Sequence, residues 1–207
     1  MVELHTKKKT ATRARSLAFC GLTIALMAVS AWISVPLGPV PFTLQTFVMV
    51  FALIVLTPGQ CLASIGCYLV IGAIGIPVFS SMRGGLGVVL GPTGGFLWGF
   101  FVGAVVALAV MRILEGSARK EQSALSARLD PQTGARVRRS RELAASFVGA
   151  FLFVVVMYLC GWVQLMAISG MGPAAAFVTA VAPFIVVDLV KTIVGVLTAR
   201  AVKRAIR

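Results

Sequence analysis

PFIVVDLVK, residues 183–191, lies inside an apolar run from Ala174 to Ala199 whose only charges are Asp188 and Lys191. A helix needs about 20 predominantly apolar residues to cross a bilayer, and this run is long enough. A charged residue near the middle of such a helix costs roughly 3 kcal/mol on insertion scales. Residues three apart share a helix face, so the acid and the amine meet and offset part of that cost. At 1.5 Å per residue, Asp188 is expected about 16 Å from the Ala199 end, near mid-bilayer. The pair is either a self-neutralising structural feature or one wall of a cavity. Intramembrane charges generally mark a site or pathway, which favours the cavity. A carboxylate accepts N–H bonds and an ammonium donates to a carbonyl or carboxylate, so the pair suits a compact ligand bearing both kinds of group.

The rest of the chain has the same character. Of 207 residues, 59% are hydrophobic and 12% charged, against about 25% charged in a soluble domain. Between Ser16 and Met111 the only charge is Arg83, and between Leu143 and Ala199 only Asp188 and Lys191. The net charge of +13 is therefore carried by the two tails and the segment 112–142, apart from the single charge of Arg83. Basic residues so confined follow the positive-inside rule, and no nucleic-acid surface is indicated.

Six apolar spans are expected: about 17–35, 44–56, 58–75, 93–113, 143–168 and 174–199. This is an all-α integral membrane protein with six transmembrane helices. Its basic tails (1–16 and 200–207) and the loop 114–142, which is polar with a helical first half and a break at Asp130-Pro131, then share the cytoplasmic side, around a membrane domain 17–199. The first run is too long for a signal-peptide core and reads as a retained span. TPGQ (57–60) carries the signature of a helix start, with Thr57 as N-cap, Pro58 as first residue and Gln60 as reciprocal partner. Gly95, Gly99, Gly103 and Ala107 form a smooth stripe, expected to pack against another helix of the chain. Gly21 and Ala25 form a shorter one, open to either internal packing or a partner.

Three outer loops (36–42, 76–92 and 169–173) are rich in Gly and Pro and hold one charge, Arg83. The long one is expected to pack into protein as a lid. Arg83 has two readings, a ligand contact or a reach toward water and headgroups. The few other polar groups include Thr43 and Gln45 at the start of the second span, and Tyr68, Tyr158 and Gln164 within spans. The four cysteines match no metal or redox spacing and read as small buried hydrophobes. GGLGVVLGPTGG (84–95) lacks the lysine of a phosphate-binding loop, and no hydrolase motif is present. No enzymatic activity and no cofactor are expected. A solitary ion- or proton-coupled transporter with Asp188 as carrier, a membrane enzyme and a helix scaffold remain as alternatives.

PVPFTLQTFVMVFAL (39–53), GAIGIPVFSSMRGGLGVVLGPTGGFLWGF (72–100) and PFIVVDLVK (183–191), taken in that order, resemble the BioY family of biotin-transport proteins, the substrate-binding S components of energy-coupling-factor transporters. The resemblance covers most of the hydrophobic chain and none of the tails. It implies six membrane helices, a biotin pocket near the outer face, and partnership with a transmembrane coupling protein and two cytoplasmic ATPases; some members are thought to work without that module. It assigns vitamin binding to Asp188 and Lys191, a gating loop to Phe79–Gly85, and partner docking to small residues of the first span, here Gly21 and Ala25. Met82 and Arg83 depart from the small or uncharged residues expected in that loop. The candidate binding set is Asp188, Lys191, Gln45, Thr43, Phe79, Ser81, Gly85 and Tyr158, with Arg83 and Gly84 in the gating loop.

Overall fold

The computed structural model describes residues 2–35, 40–125 and 130–205. Most of the expected first outer loop (36–39) and part of the 114–142 connection (126–129) lie outside the described residues. Among the described residues the fold is all-α apart from one ladder of two two-residue strands and an isolated bridge between Phe79 and Arg83. Its elements are α1 (Val2–Trp32), β1 (Ser34–Val35), β2 (Phe42–Thr43), α2 (Gln45–Val55), α3 (Pro58–Ala73), α4 (Leu86–Val89), α5 (Gly94–Leu125), α6 (Pro131–Ser169), α7 (Pro173–Ala180) and α8 (Ala182–Ala205). Among the described residues, four segments are long and apolar enough to cross a membrane: Arg13–Trp32, Gly94–Ser117, Gln132–Ser169 and Ala182–Ala205. The chain is therefore a multi-pass membrane protein. The helices α2 and α3 have 11 and 16 residues, so at 1.5 Å per residue they are roughly 16 and 24 Å long, short of a 30 Å hydrocarbon core.

The glycine stripe explains the most extensive helix pairing among the described residues, that of α5 with α6. α5 lies along α6, and a Cβ on Gly99 would fall 2.8 Å from the Cα of Met157, while one on Gly103 would fall 2.9 Å from the Phe153 carbonyl. Gly95 meets the Cys160 carbonyl in the same way. Removing side chains from one face lets two backbones approach where lipid offers no hydrophobic drive to bring them together. Phe100 and Phe153 stack one turn away, ring centroids 6.3 Å apart. The hairpin between α2 and α3 starts as its sequence implies. Thr57 Oγ1 accepts from the Gln60 amide and Gln60 Oε1 accepts from the Thr57 amide, a reciprocal cap behind Pro58.

One stretch goes further than the sequence expectation and one departs from it. The connection 114–142 is helical in its first half and breaks at Asp130-Pro131, as its sequence implies, but its second half is helical as well: α5 runs on to Leu125, and α6 begins at Pro131 with Asp130 capping the Gln132 amide. The last apolar run is two helices, not one. Val181 takes φ −122° and ψ −56° between α7 and α8. Pro183 is the cause: it has no N–H to continue the ladder, and its ring crowds the carbonyl four residues back. Asp188 consequently lies six residues into α8, about 9 Å from that helix's start.

The helix α8 packs mainly on α2, where Gly195 admits Val50. α1 covers α2 and α3. This arrangement leaves the start of α2, the middle of α6 and the first turns of α8 facing a common space.

Candidate functional site

That space is a cavity walled by Phe42, Thr43, Gln45, Phe79, Phe96, Tyr158, Phe184, Asp188 and Lys191, among others. Its volume is about 70 Å³, within about 620 Å³ of atom-free space that includes open solvent. Asp188 and Lys191 are buried, and both line the cavity, side chains 2.9 Å apart between Nζ and Oδ1. Tyr158 on α6 donates its hydroxyl to the other carboxylate oxygen, Oδ2, at 2.6 Å. Each oxygen of Asp188 thus takes one donor, and a carboxylate oxygen has room for two. Lys191 also donates to the Thr43 carbonyl at 2.6 Å, and its ammonium stands 3.6 Å from the centroid of the Phe42 ring. The pair is therefore compensated by a phenol, a backbone carbonyl and an aromatic face, which is what a buried ion pair requires to persist.

The aromatic residues form the apolar part of the wall. Phe42 stacks on Phe184 at 6.3 Å, and Phe96 meets Tyr158 edge-on at 6.4 Å. Phe184 precedes Asp188 by four residues and so lies above it on the same helix face. Phe79 is fully buried and meets Tyr68 edge-on at 5.5 Å. Its ring occupies the place of a side chain at Gly72, so only glycine fits there.

Six of the eight sequence candidates line this cavity: Asp188, Lys191, Thr43, Gln45, Phe79 and Tyr158. Two of the six do so with their polar groups engaged in the framework. Gln45 Nε2 donates to the Tyr68 hydroxyl at 2.6 Å, and that hydroxyl donates to the Val78 carbonyl at 2.9 Å, tying α2 to α3 and to the segment beyond it. Thr43 holds Lys191 through its backbone carbonyl. Ser81 and Gly85 do not line the cavity. Ser81 is exposed, its hydroxyl 3.4 Å from that of Ser34, while Gly85 at φ +95° sends its amide to the Gly72 carbonyl at 2.7 Å. Ser80, which the sequence did not single out for binding, takes their place in the lining. Phe96 and Phe184 were also missed; the i−4 spacing of Phe184 from Asp188 was the available signal.

The outer segment 76–92 is irregular but held. Trp32 Nε1 donates to the Pro77 carbonyl, and Gln164 Nε2 to the carbonyls of Val89 and Gly91. Within it a 3-10 turn, Ser80–Met82, is closed by the Phe79 amide on the Arg83 carbonyl. Ser81 and Met82 both have positive φ, 57° and 54°, a conformation that costs non-glycine residues on the order of 1–3 kcal/mol each. Gly84 passes so close to the backbone of Gly75 and Ile76 that no side chain fits. Arg83 is exposed, its Nε 3.4 Å from the Ser80 carbonyl, and it is absent from the cavity wall. Gly21 and Ala25 lie on an exposed face of α1 with nothing within 4 Å of a side chain added at Gly21.

A model of the BioY family matches residues 5–207. The chain belongs to the BioY family. It is 34% identical to a probable biotin transporter BioY of Pyrococcus horikoshii over 187 residues, 90% of this chain and 95% of that protein. A biotin transporter BioY of Rhizobium etli is 36% identical over 82% of this chain and 81% of its own length. The match to the biotin transporter BioY of Thermotoga maritima is 48% identical but spans only 92 residues, 54% of that protein. In fold, this BioY chain resembles the S-component for biotin from an ECF-type ABC transporter, solved at 2.1 Å, with a TM-score of 0.71 over 94% of this chain and 93% of that one, at 21% identity.

Proposed function

We propose that this protein is the substrate-binding membrane subunit of a biotin uptake system, taking biotin from the outer side into the cavity above Asp188 and Lys191. The observation that carries the reading is the buried acid–amine pair facing a cavity in a chain of this family. The chemistry of biotin matches that wall. Its ureido ring offers two N–H donors and one carbonyl. Asp188 accepts from a ureido N–H while Tyr158 holds the carboxylate in place, and Lys191 donates to the ureido oxygen or the valerate carboxylate. The rings of Phe42, Phe79, Phe96 and Phe184 receive the thiophane and the tail. Ligand pockets typically measure about 300–1,000 Å³, so the cavity has to widen as biotin enters. The segment Phe79–Gly85, whose Phe79 and Ser80 line the cavity and whose next two residues are strained, is the gate that moves.

In this role the chain crosses the membrane six times, with α2 and α3 serving as short crossings completed by their flanking residues. Both termini and the basic 114–142 segment face the cytoplasm. The exposed small face of α1 at Gly21 and Ala25 receives the transmembrane coupling protein, and two cytoplasmic ATPases supply the energy. The subunit itself binds and hands over its cargo. Uptake of labelled biotin into cells expressing the chain with and without that module tests the reading. Biotin-specific uptake or surface binding supports it; the absence of either, with the protein inserted, refutes it.

A further inference from the structure

We propose a second site, for a phosphate group, at the opposite end of α8 from the biotin cavity. The last turns of α8 and the adjoining turns of α6 enclose a cleft of about 270 Å³ lined by Arg139, Glu142, Arg200, Lys203 and Arg204. Four cations against one carboxylate give it a formal charge of +3. The carboxylate is already taken: Glu142 Oε1 accepts from Arg138 Nε at 2.9 Å, and Oε2 accepts from Arg200 Nη2 at 3.2 Å. Arg200 is 8% exposed, so this contact fixes its guanidinium in the floor of the cleft. Lys203 is positioned as well, donating to the Ile54 carbonyl near the end of α2 at 2.7 Å. Arg139 and Arg204 are exposed at the rim.

Basic residues in the last turn of a helix complement its dipole, which accounts for Lys203 and Arg204 taken alone. It does not account for four cations of two helices converging on one hollow that holds a single carboxylate, Glu142. A compact anion with several oxygens satisfies guanidinium forks and an ammonium together. Location narrows the choice. The cleft begins 12 residues past Asp188, about 18 Å along α8, where the apolar part of a membrane-crossing helix ends and headgroup phosphates lie. Basic pockets between membrane helices are known to hold anionic headgroups. The ligand is a phosphate group, presented by an anionic lipid or free in solution, and its binding is independent of what fills the biotin cavity.

The full-length protein in detergent is titrated with short-chain phosphatidylglycerol, with short-chain phosphatidylcholine, and with inorganic phosphate at matched ionic strength, and binding is read as a rise in thermal midpoint. Phosphatidylglycerol is expected to bind and phosphatidylcholine not. R139Q/R204Q is expected to weaken that binding about 30-fold, at about fivefold for each basic residue. Should the double variant fail to purify, R204Q alone should show the fivefold loss. A control, R13Q/R15Q on α1, keeps wild-type affinity. Inorganic phosphate that competes with phosphatidylglycerol assigns a soluble ligand; failure to compete assigns the lipid. Equal binding of the two lipids, an undiminished R139Q/R204Q, or an equal loss in the α1 control overturns the proposal.

Discussion

Replacing Asp188 by Asn changes one atom and removes one charge, which makes it the sharpest probe of the cavity. The carboxylate accepts from Lys191 at 2.9 Å and from Tyr158 at 2.6 Å. Asparagine keeps one acceptor oxygen and offers a donor in place of the other, so the Tyr158 hydroxyl or the ligand N–H loses its acceptor. Hydrogen bonds to charged groups contribute about 1.5–3 kcal/mol, so biotin affinity is expected to fall about 10- to 150-fold. The ammonium of Lys191 keeps the Thr43 carbonyl and the Phe42 face, so insertion and folding survive, although breaking a buried pair can cost 3–5 kcal/mol in stability. Titration calorimetry on D188N, K191M and the double variant separates the effects. If the two residues act as one unit, the double variant binds less weakly than the sum of the single losses requires. Affinity of D188N within twofold of wild type, in protein that is monodisperse and thermally cooperative, refutes the assignment of Asp188 to the ligand.

Tyr158→Phe deletes only the hydroxyl that steadies Asp188, and the loss of a hydrogen bond to a charged group, about 1.5–3 kcal/mol, predicts a fall in biotin affinity of up to about 10- to 150-fold, read by the same titration. Gly99→Leu forces a side chain into the α5–α6 contact, where the Met157 Cα stands 2.8 Å from even a Cβ; overpacking of this kind costs about 1–3 kcal/mol or more and should lower the thermal midpoint or prevent purification. Thr57→Ala removes the cap of α3, and a loss of about 1 kcal/mol should appear as a lower midpoint with biotin affinity unchanged. Gly21→Trp places bulk on the open face of α1, and it should leave biotin binding intact while abolishing copurification with the coupling protein.

How much of this was legible beforehand follows from the kind of signal each feature leaves. Charges in an apolar run stand out, and Asp188 and Lys191 do meet over a cavity. The four-residue glycine repeat identified the face of α5 that packs, because nothing but close backbone approach explains it. The TPGQ cap was readable because its geometry is local. The break at Val181 was not recognised, although Pro183 was in the quoted stretch; apolar composition alone cannot separate a kinked run from a straight one. The choice between Ser80 and Ser81 at the cavity was also beyond the sequence. It depends on positive φ at Ser81 and Met82, which no residue type there advertises. Gln45 stands out as a polar residue at the start of the second span, and it does line the cavity, but the sequence does not show that its amide donates to Tyr68, a partner 23 residues away in the chain. Glu142 and Arg200 are 58 residues apart, and only the packing of α6 on α8 joins them.

The central claim is that the acid and the amine of α8 hold biotin. It is tested most directly by extracting small molecules from the protein purified from biotin-containing cells and identifying them by mass spectrometry. Biotin retained in near-stoichiometric amount by the wild type and lost from D188N is the expected result. Retention of no small molecule, of a different compound, or of biotin equally by D188N contradicts the account.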